Sequence, residues 1–241
     1  IMLLIATIYV REWHLNVSEK SGAETGSNDL LLTYEWPQLQ GDPSFTRFSP
    51  GPAPETPDIL WKTNITGIQS YVTAFNGKVF VTTKTAVYAL DRNTGVILWN
   101  TTVPAPGAWP AVYKIDETHL VVGSSCLDID TGRILWTSPV FSATSAPFFV
   151  ANVYSPEEKM FYVKNGSYVQ GWDFSDPDVP PKLKWETYVP GGGLVGSGVT
   201  YGDGKVFPGS YDPHQMALDA KTGAVLWDTE TKTPMVFSGS Y

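Results

Sequence analysis

The fold is decided by Ala89-Leu90-Asp91-Arg92-Asn93-Thr94-Gly95-Val96-Ile97-Leu98-Trp99, a stretch that returns twice along the chain. The copies are Cys126-Leu127-Asp128-Ile129-Asp130-Thr131-Gly132-Arg133-Ile134-Leu135-Trp136 and Ala217-Leu218-Asp219-Ala220-Lys221-Thr222-Gly223-Ala224-Val225-Leu226-Trp227. Each copy predicts a strand, a tight turn and a second strand, because Asp bonds its own backbone and Gly tolerates positive φ. A recurring unit of this kind is typical of solenoids and propellers.

The spacing of the closing tryptophans predicts an all-β fold of four-stranded antiparallel blades. They recur at intervals close to the roughly 40–45 residues of a propeller blade. Asn76-Gly77 adds a strong two-residue hairpin signal inside the first unit. The third unit departs from the motif, with Gly171-Trp172-Asp173 in place of Ala-Leu-Asp and a longer Asp- and Pro-rich turn. The closing residues are Trp61, Trp99, Trp136, Trp185 and Trp227.

The pattern A-x-D-x-x-T-G-x-x-x-W resembles the tryptophan-docking motif of quinoprotein-type β-propellers. Upstream, Trp36-Pro37, Gly41-Asp42 and Arg47-Phe48-Ser49-Pro50 resemble the opening of pyrroloquinoline-quinone (PQQ) dehydrogenases and their relatives. The resemblance implies rings of seven or eight blades, of which this chain supplies about four and part of a fifth. It also implies that each indole docks on a small residue and a Gly peptide. The docking residues would be Ala89, Gly95, Trp99, Cys126, Gly132, Trp136, Trp185, Ala217, Gly223 and Trp227.

The same resemblance raises the question of catalysis. A PQQ dehydrogenase would need a calcium site of Glu, Asn and Asp, a catalytic Asp and usually a vicinal Cys-Cys disulfide. Cys126 is the only cysteine, and no Glu, Asn and Asp set has the family's spacing. His14, His119 and His214 lack a partner at metal-ligand spacing. We therefore expect no catalytic residue, no metal and no cofactor; the alternative is a fragment of a PQQ-dependent quinoprotein dehydrogenase with PQQ and calcium.

Charge and asparagine usage indicate the compartment. The formal net charge of −8 argues against nucleic acid as a partner. Four Asn residues open an N-x-Ser/Thr sequon, and two of them closely follow a closing Trp, where an outer strand should leave the core. N-glycosylation needs such exposure and a secretory route. The candidate glycosylation sites, which predict a protein of the cell surface or exterior, are Asn16, Asn64, Asn100 and Asn165.

The remaining sequence predicts three parts. Residues 1–17 open with ten uncharged residues, too few to span a bilayer, which needs about 20. They predict a hydrophobic N-terminal helix or anchor that tethers the protein or assembles it with other subunits. Residues 18–57 predict a linker and an extended, Pro-rich lead-in, and residues 58–241 the blades.

The hypothesis from sequence is thus a non-catalytic extracellular propeller. It would serve as a cell-surface binding or scaffold module, glycosylated and held by protein partners or by its own N-terminal segment. A subunit of a surface filament or layer is a second form of the same hypothesis.

Overall fold

The computed structural model describes the backbone of residues 5–11 and residues 34–49, 57–104, 110–143, 152–190, 198–209 and 214–230. These residues form β-strands joined by turns and extended segments. No helix long and apolar enough to cross a membrane occurs among them.

Four of the sheets have four antiparallel strands each, and every sheet is a simple meander. The first blade contains β3 (Thr73–Phe75), β4 (Lys78–Thr82), β5 (Ala86–Asp91) and β6 (Ile97–Thr102). The second contains β7 (Val112–Lys114), β8 (His119–Val122), β9 (Ser125–Asp128) and β10 (Ile134–Thr137). The third contains β11 (Val153–Ser155), β12 (Met160–Asn165), β13 (Tyr168–Asp173) and β14 (Lys182–Tyr188). The fourth contains β15 (Val199–Gly202), β16 (Lys205–Pro208), β17 (His214–Asp219) and β18 (Val225–Glu230). The predicted propeller blades are confirmed.

Turn chemistry explains the hairpins between the first two strands of a blade. Asn76 and Gly77 both have positive φ, 48° and 68°, as a two-residue hairpin turn of the primed type requires. Asp203 and Gly204 repeat this in the fourth blade, with φ of 51° and 67°. The left-handed backbone suits the twist of the paired strands, so these dipeptides fix the register of both hairpins.

The hydrophobic core is divided among the seams between successive sheets. One cluster joins β2 (Ile59–Thr66) to the first blade through Trp61 and Val81. Three more clusters lie between blades one and two, two and three, and three and four. The first three blades are therefore buried on both faces by neighbouring strands, whereas every residue of β18 in the fourth blade is exposed.

The N-terminal helix expected over residues 1–17 is not what the structure places at residues 5–11. These residues form β1 (Ile5–Arg11), which pairs antiparallel with β2. The β-branched residues of IATIYVR favour a strand, and the free edge of β2 offers it backbone partners. Val10 pairs with Trp61 and Arg11 with Ile59, so one residue of β2 is bulged out. The other residues of the predicted anchor lie outside the described residues.

Residues 34–49, which we call the lead-in segment, cross the innermost strands of all four blades. Trp36 and Ala74 of β3 exchange backbone hydrogen bonds of 2.6 and 2.9 Å. The carbonyl of Pro37 accepts the amide of Lys114 in β7 at 2.8 Å. The sequence predicts extended backbone for this Pro-rich stretch, but residues 39–44 form turns. The pairing of the segment with distant strands was not predicted.

The second half of the crossing uses side chains as well. The Gln38 amide group bonds both the N–H and the C=O of Tyr154 in β11, each at 3.1 Å. The carbonyl of Pro43 accepts the amide of Tyr201 in β15 at 2.8 Å, and Ser44 Oγ donates to the Tyr201 carbonyl at 2.8 Å. The lead-in segment thereby satisfies polar groups on the inner edge of each sheet.

Candidate functional site

Among the described residues, four of the five closing tryptophans contact a turn of the next blade. The Nε1 of Trp61 donates to the Arg92 carbonyl at 2.8 Å, and that of Trp99 donates to the Ile129 carbonyl at 3.0 Å. Trp185 repeats the bond to Ala220 at 3.0 Å. We call each such contact a dock.

The glycine of each motif turn has no room for a side chain. A Cβ built on Gly95 would lie 2.3 Å from Cε3 of Trp61, and one on Gly132 would lie 2.5 Å from Cε3 of Trp99. Gly223 meets Trp185 in the same way, at 2.5 Å. All three glycines also have positive φ, near 70°. The docking role that the resemblance implies for these residues therefore has a direct steric basis.

A second hydrogen bond in the dock was missed by the sequence reasoning. Thr63, Thr101 and Thr187 each donate their hydroxyl to the carbonyl of the motif glycine, at 2.6 to 2.7 Å. Each threonine follows its tryptophan by two residues, so the recurrence of W-x-T in the sequence was the available signal. Indole and hydroxyl together satisfy two carbonyls of every such turn.

The Asp of the motif holds the turn from within. Asp128 Oδ1 accepts the Thr131 amide at 2.7 Å and the Thr131 hydroxyl at 2.6 Å. These bonds lower the pKa of Asp128, with the Thr131 hydroxyl the largest cause. Asp219 does the same with Thr222, whose hydroxyl again contributes most to a lowered pKa. The Asp128 and Asp219 carboxylates thus accept hydrogen bonds that stabilise their own turns.

The third blade lacks the Asp-x-x-Thr-Gly turn, yet Trp136 of the second blade still docks on it. Trp136 Nε1 donates to the carbonyl of Pro177, in the long Asp- and Pro-rich turn, at 2.7 Å. Cys126, which pairs with Trp136 across the strands, is fully buried, and its burial raises the pKa of its thiol. Such a thiol is inert, because the thiolate is the reactive form. Cys126 fills the small-residue position of the dock.

Trp227 departs from the expected pattern. It pairs with Ala217 across β17 and β18, as the motif predicts. Its exposed fraction is nevertheless 43%, against 7–9% for Trp61, Trp99, Trp136 and Trp185. The physical reason is that no motif turn stands beside β18 within the described residues, so the indole has nothing to dock on.

Two basic side chains, those of His119 and Lys164, contact residues of the next blade. His119 Nδ1 lies 2.9 Å from Asp116, and its Nε2 lies 3.2 Å from Asp178 in the third blade. Lys164 of β12 is almost fully buried, donates to the Gly209 carbonyl of the fourth blade, and has a pKa lowered to about 8 by burial. Both residues connect neighbouring blades. His214 lies beside Asp228 at 2.8 Å, and His14 lies outside the described residues.

The predicted glycosylation sites fall on the surface wherever the structure describes them. Asn64 and Asn100 lie exposed on β2 and β6, and Asn165 lies exposed at the end of β12. Asn16 lies outside the described residues.

A PQQ site would require a set of side chains that holds calcium. Within the described ranges, no three His, Cys, Asp or Glu side chains converge as metal ligands would. The donor sets found there, at the motif turns and at His119, do not fit such a site. The glycine-rich stretch at 191–197 and the loop at 210–213 lie outside the described residues.

A family model described as "Outer membrane protein assembly factor BamB" matches residues 52–166 and 125–238. The structure of BamB from Moraxella catarrhalis superposes with a TM-score of 0.54 at 18% identity, covering 73% of this chain and 56% of that one. No curated protein matches the sequence.

Quinoprotein enzymes share the same architecture. The quinohemoprotein alcohol dehydrogenase from Comamonas testosteroni gives a TM-score of 0.53 at 17% identity, covering 83% of this chain and 41% of that one. A europium-containing methanol dehydrogenase gives 0.50 at 14% identity, covering 72% of this chain and 45% of that one. The chain thus spans about half the length of the structures it matches. These similarities establish a shared propeller fold.

Proposed function

The chain belongs to the family described as outer membrane protein assembly factor BamB, and from this premise we propose that it is a non-catalytic β-propeller outside the cell. It serves there as a binding or scaffold module. The observation that carries the proposal is how the described residues use their reactive side chains. Motif carboxylates hold turns, Cys126 fills a dock, and His119 and Lys164 connect blades.

The rim of the molecule supports a binding role. Each described blade ends in an outer strand with an exposed apolar residue shortly before its closing Trp. In the first blade these are Val96, Ile97 and Leu98, and in the fourth Val225 and Leu226. Exposed apolar side chains that recur at one place in a repeat favour protein–protein contact. The rim is therefore where we place the partner-binding surface.

The alternative, a fragment of a PQQ-dependent quinoprotein dehydrogenase, makes a different prediction in one experiment. PQQ and calcium are added to the purified protein, excess cofactor is removed, and quinone absorbance and dye reduction are measured. We expect no bound quinone and no dye reduction. Stoichiometric quinone with dye reduction would overturn the non-catalytic proposal and establish the enzyme.

The extracellular location rests on the sequons and is tested separately. The chain is expressed through a eukaryotic secretory pathway and treated with peptide N-glycosidase. We expect a mass loss that shrinks stepwise in Asn64→Gln, Asn100→Gln and Asn165→Gln. A chain of unchanged mass would remove the support that the sequons give.

Assembly through the N-terminal segment, including a filament or layer, stays a proposal of the same kind. Its support is the run of uncharged residues at 1–10. Deleting residues 1–20 should convert an assembled or membrane-bound form into a monomer. Identical sedimentation before and after the deletion would contradict it, and electron microscopy of the native material would distinguish a filament from a tether.

A further inference from the structure

Two tyrosines lie side by side on the exposed surface of the third blade. Tyr168 begins β13 and Tyr188 ends β14, and the register of the two strands pairs them directly. Their rings meet in a T-shaped arrangement with centroids 5.6 Å apart, yet 43% of Tyr168 and 56% of Tyr188 are exposed. Two aromatic rings held together in solvent form a surface that a partly apolar ligand can cover. We call this pair the tyrosine platform.

Polar side chains adjoin the tyrosine platform on the same face of the sheet. Gln170 and Glu186 are paired two residues further along the same strands, so their side chains project to the side of the two tyrosines. Gln170 Nε2 donates to Glu186 Oε2 at 2.6 Å, and Gln170 Oε1 accepts the indole N–H of Trp172 at 3.2 Å. These bonds fix the orientation of the carboxamide. Among the described residues they leave one N–H of Gln170 and one carboxylate oxygen of Glu186 to bond a ligand.

Aromatic rings beside an oriented amide and a carboxylate suit a saccharide. One face of a pyranose ring carries C–H groups, which pack against the negative face of an aromatic ring. The hydroxyl and acetamide groups of the sugar need hydrogen-bond donors and acceptors, which Gln170 and Glu186 supply. The chemistry of this surface therefore favours a neutral sugar as its ligand.

Asn165 identifies where that sugar comes from. It ends β12, and the two-residue turn Gly166-Ser167 connects it to Tyr168, with which it is directly paired. Gly166 has φ of 59°, which suits the first position of such a turn. Directly paired residues of an antiparallel sheet point to the same face, so Asn165, Tyr168 and Tyr188 form one row. With strands about 4.8 Å apart the row is about 10 Å long, which two linked sugars can cover.

We propose that the tyrosine platform binds the first two N-acetylglucosamine residues of a glycan attached to Asn165. The first sugar packs on Tyr168, and the second reaches Tyr188 and the polar pair Gln170 and Glu186. The glycan thereby covers exposed aromatic surface and holds the outer hairpin of the third blade. This inference rests on the proposed extracellular location, because the glycan is added only along a secretory route.

The other described sequons are not placed beside such a platform. Asn64 pairs with Thr7 of β1, a residue without an aromatic ring. Asn100 pairs with Tyr88, but that side chain is half-buried and packs against the cluster that contains Trp61. A glycan on Asn64 is therefore the matched control for one on Asn165.

The test compares two full-length chains secreted from eukaryotic cells, each with one of these sequons kept and the other three Asn residues replaced by Gln. The kept residue is Asn165 in one chain and Asn64 in the control. The cells are fed isotope-labelled N-acetylglucosamine, and an endoglycosidase trims each glycan to its first sugar. The ring protons of that sugar are then observed by NMR, and its occupancy is measured by mass spectrometry.

We expect the sugar protons of the Asn165 chain to lie upfield of those of the Asn64 chain, because the ring current of a stacked tyrosine shields them. Tyr168→Thr should abolish the upfield shift, and Tyr168→Phe, which keeps the ring, should preserve it. The sugar should also raise the thermal midpoint of the Asn165 chain, and Tyr168→Thr should remove that gain.

Sugar protons on Asn165 that match those on Asn64 would overturn this inference and leave the proposed location intact. So would an unoccupied Asn165 in a chain whose Asn64 and Asn100 carry glycans. A secreted chain without a glycan at any sequon would contradict the proposed location as well. Tight binding of free chitobiose to Asn165→Gln would also overturn the inference, because the tyrosine platform would then serve an external saccharide.

Discussion

At the motif glycines two constraints act on one residue. Gly132 has φ of 69°, a backbone conformation that costs other residues roughly 1–2 kcal/mol. Its missing Cβ is also the space that Trp99 occupies. Gly77 has nearly the same φ, 68°, but has no atom within 4 Å of its Cβ position. Substituting Gly77 therefore measures backbone strain alone, whereas substituting Gly132 measures strain together with loss of the Trp99 contact.

Gly132→Ala should therefore lower the free energy of unfolding by about 3 kcal/mol or more, since strain adds to displacement of a buried indole. Gly77→Ala, the matched control, should cost only about 1 kcal/mol. Urea unfolding of both variants measures the difference. Equal losses would show that the indole contact contributes nothing.

Lys164 gives a pH dependence of known sign. Burial lowers its pKa from 10.5 to about 8 in the folded chain. Between these values the unfolded chain holds a proton that the folded chain has lost, so the free energy of unfolding rises with pH from 8 to 10.5. The total rise is about 3 kcal/mol.

Lys164→Met should abolish that rise and be the more stable protein near neutral pH, because no buried ammonium must be desolvated. Thermal unfolding from pH 7 to 11 compares the two chains. Lys221→Met, at an exposed lysine of a motif turn, is the control for removing a charge. A Lys164→Met curve parallel to that of the natural chain would contradict the assignment.

At the scale of the element, the motif turn was predictable and its reasons are local. Asp, Thr and Gly lie within five residues, so their bonds need no knowledge of the rest of the fold. The lead-in segment is the opposite case. Gln38 and Tyr154 are 116 residues apart, and no local pattern links a glutamine to one distant strand. Its prolines predict extended backbone, yet residues 39–44 form turns, and the strands that the segment meets depend on where the blades lie.

The stability that the motif carboxylates contribute should be lost in acid. The pKa of Asp219 is lowered in the folded chain, chiefly by the Thr222 hydroxyl, so its contribution to stability is present above 3.8 and is lost as pH falls through the folded pKa. Asp219→Asn should be less stable than the natural chain at neutral pH. Its stability should also fall less steeply from about pH 4, near the ordinary Asp pKa, to about pH 2. Thermal unfolding across this range measures it. A slope equal to that of the natural chain would show that the turn does not titrate.

The lead-in segment should open when its link to the third blade is cut. Gln38→Ala removes both bonds to Tyr154 and leaves buried backbone groups unpaired, at a cost of about 1–3 kcal/mol. Hydrogen exchange should accelerate at the amides of Tyr154 and Lys114 and not in β9. Gln40→Ala, whose side-chain oxygen accepts from Arg47 within the same segment, is the control. Unchanged exchange at Tyr154 would refute the link.

For the whole molecule, the repeat predicted the order of the four blades that the structure describes, but not which docks would be filled. Each copy of the motif looks alike in sequence, yet Trp227 is exposed because a dock needs a neighbour. The third dock also formed without its glycine turn, through the Pro177 carbonyl. Docking depends on pairs of units, which a single unit cannot reveal.

The difference between a docked tryptophan and the exposed Trp227 should appear in the free energy of unfolding. Trp99→Ala should cost about 3–5 kcal/mol, as expected for a buried tryptophan, while Trp227→Ala in the 241-residue chain should cost about 1 kcal/mol or less. Chemical denaturation of the two variants provides the comparison. A large loss in Trp227→Ala would mean that its indole is buried in solution.

The lead-in segment also bears on how the protein is synthesised. Its residues leave the ribosome before any of the four strands that they will join, and the last of these, at Tyr201, follows more than 150 residues later. The segment can therefore complete its hydrogen bonds only after all four strands have been translated. Until then the inner sheet edges stay open to wrong partners, so a chaperone that holds the nascent lead-in segment should improve the yield of correctly folded protein.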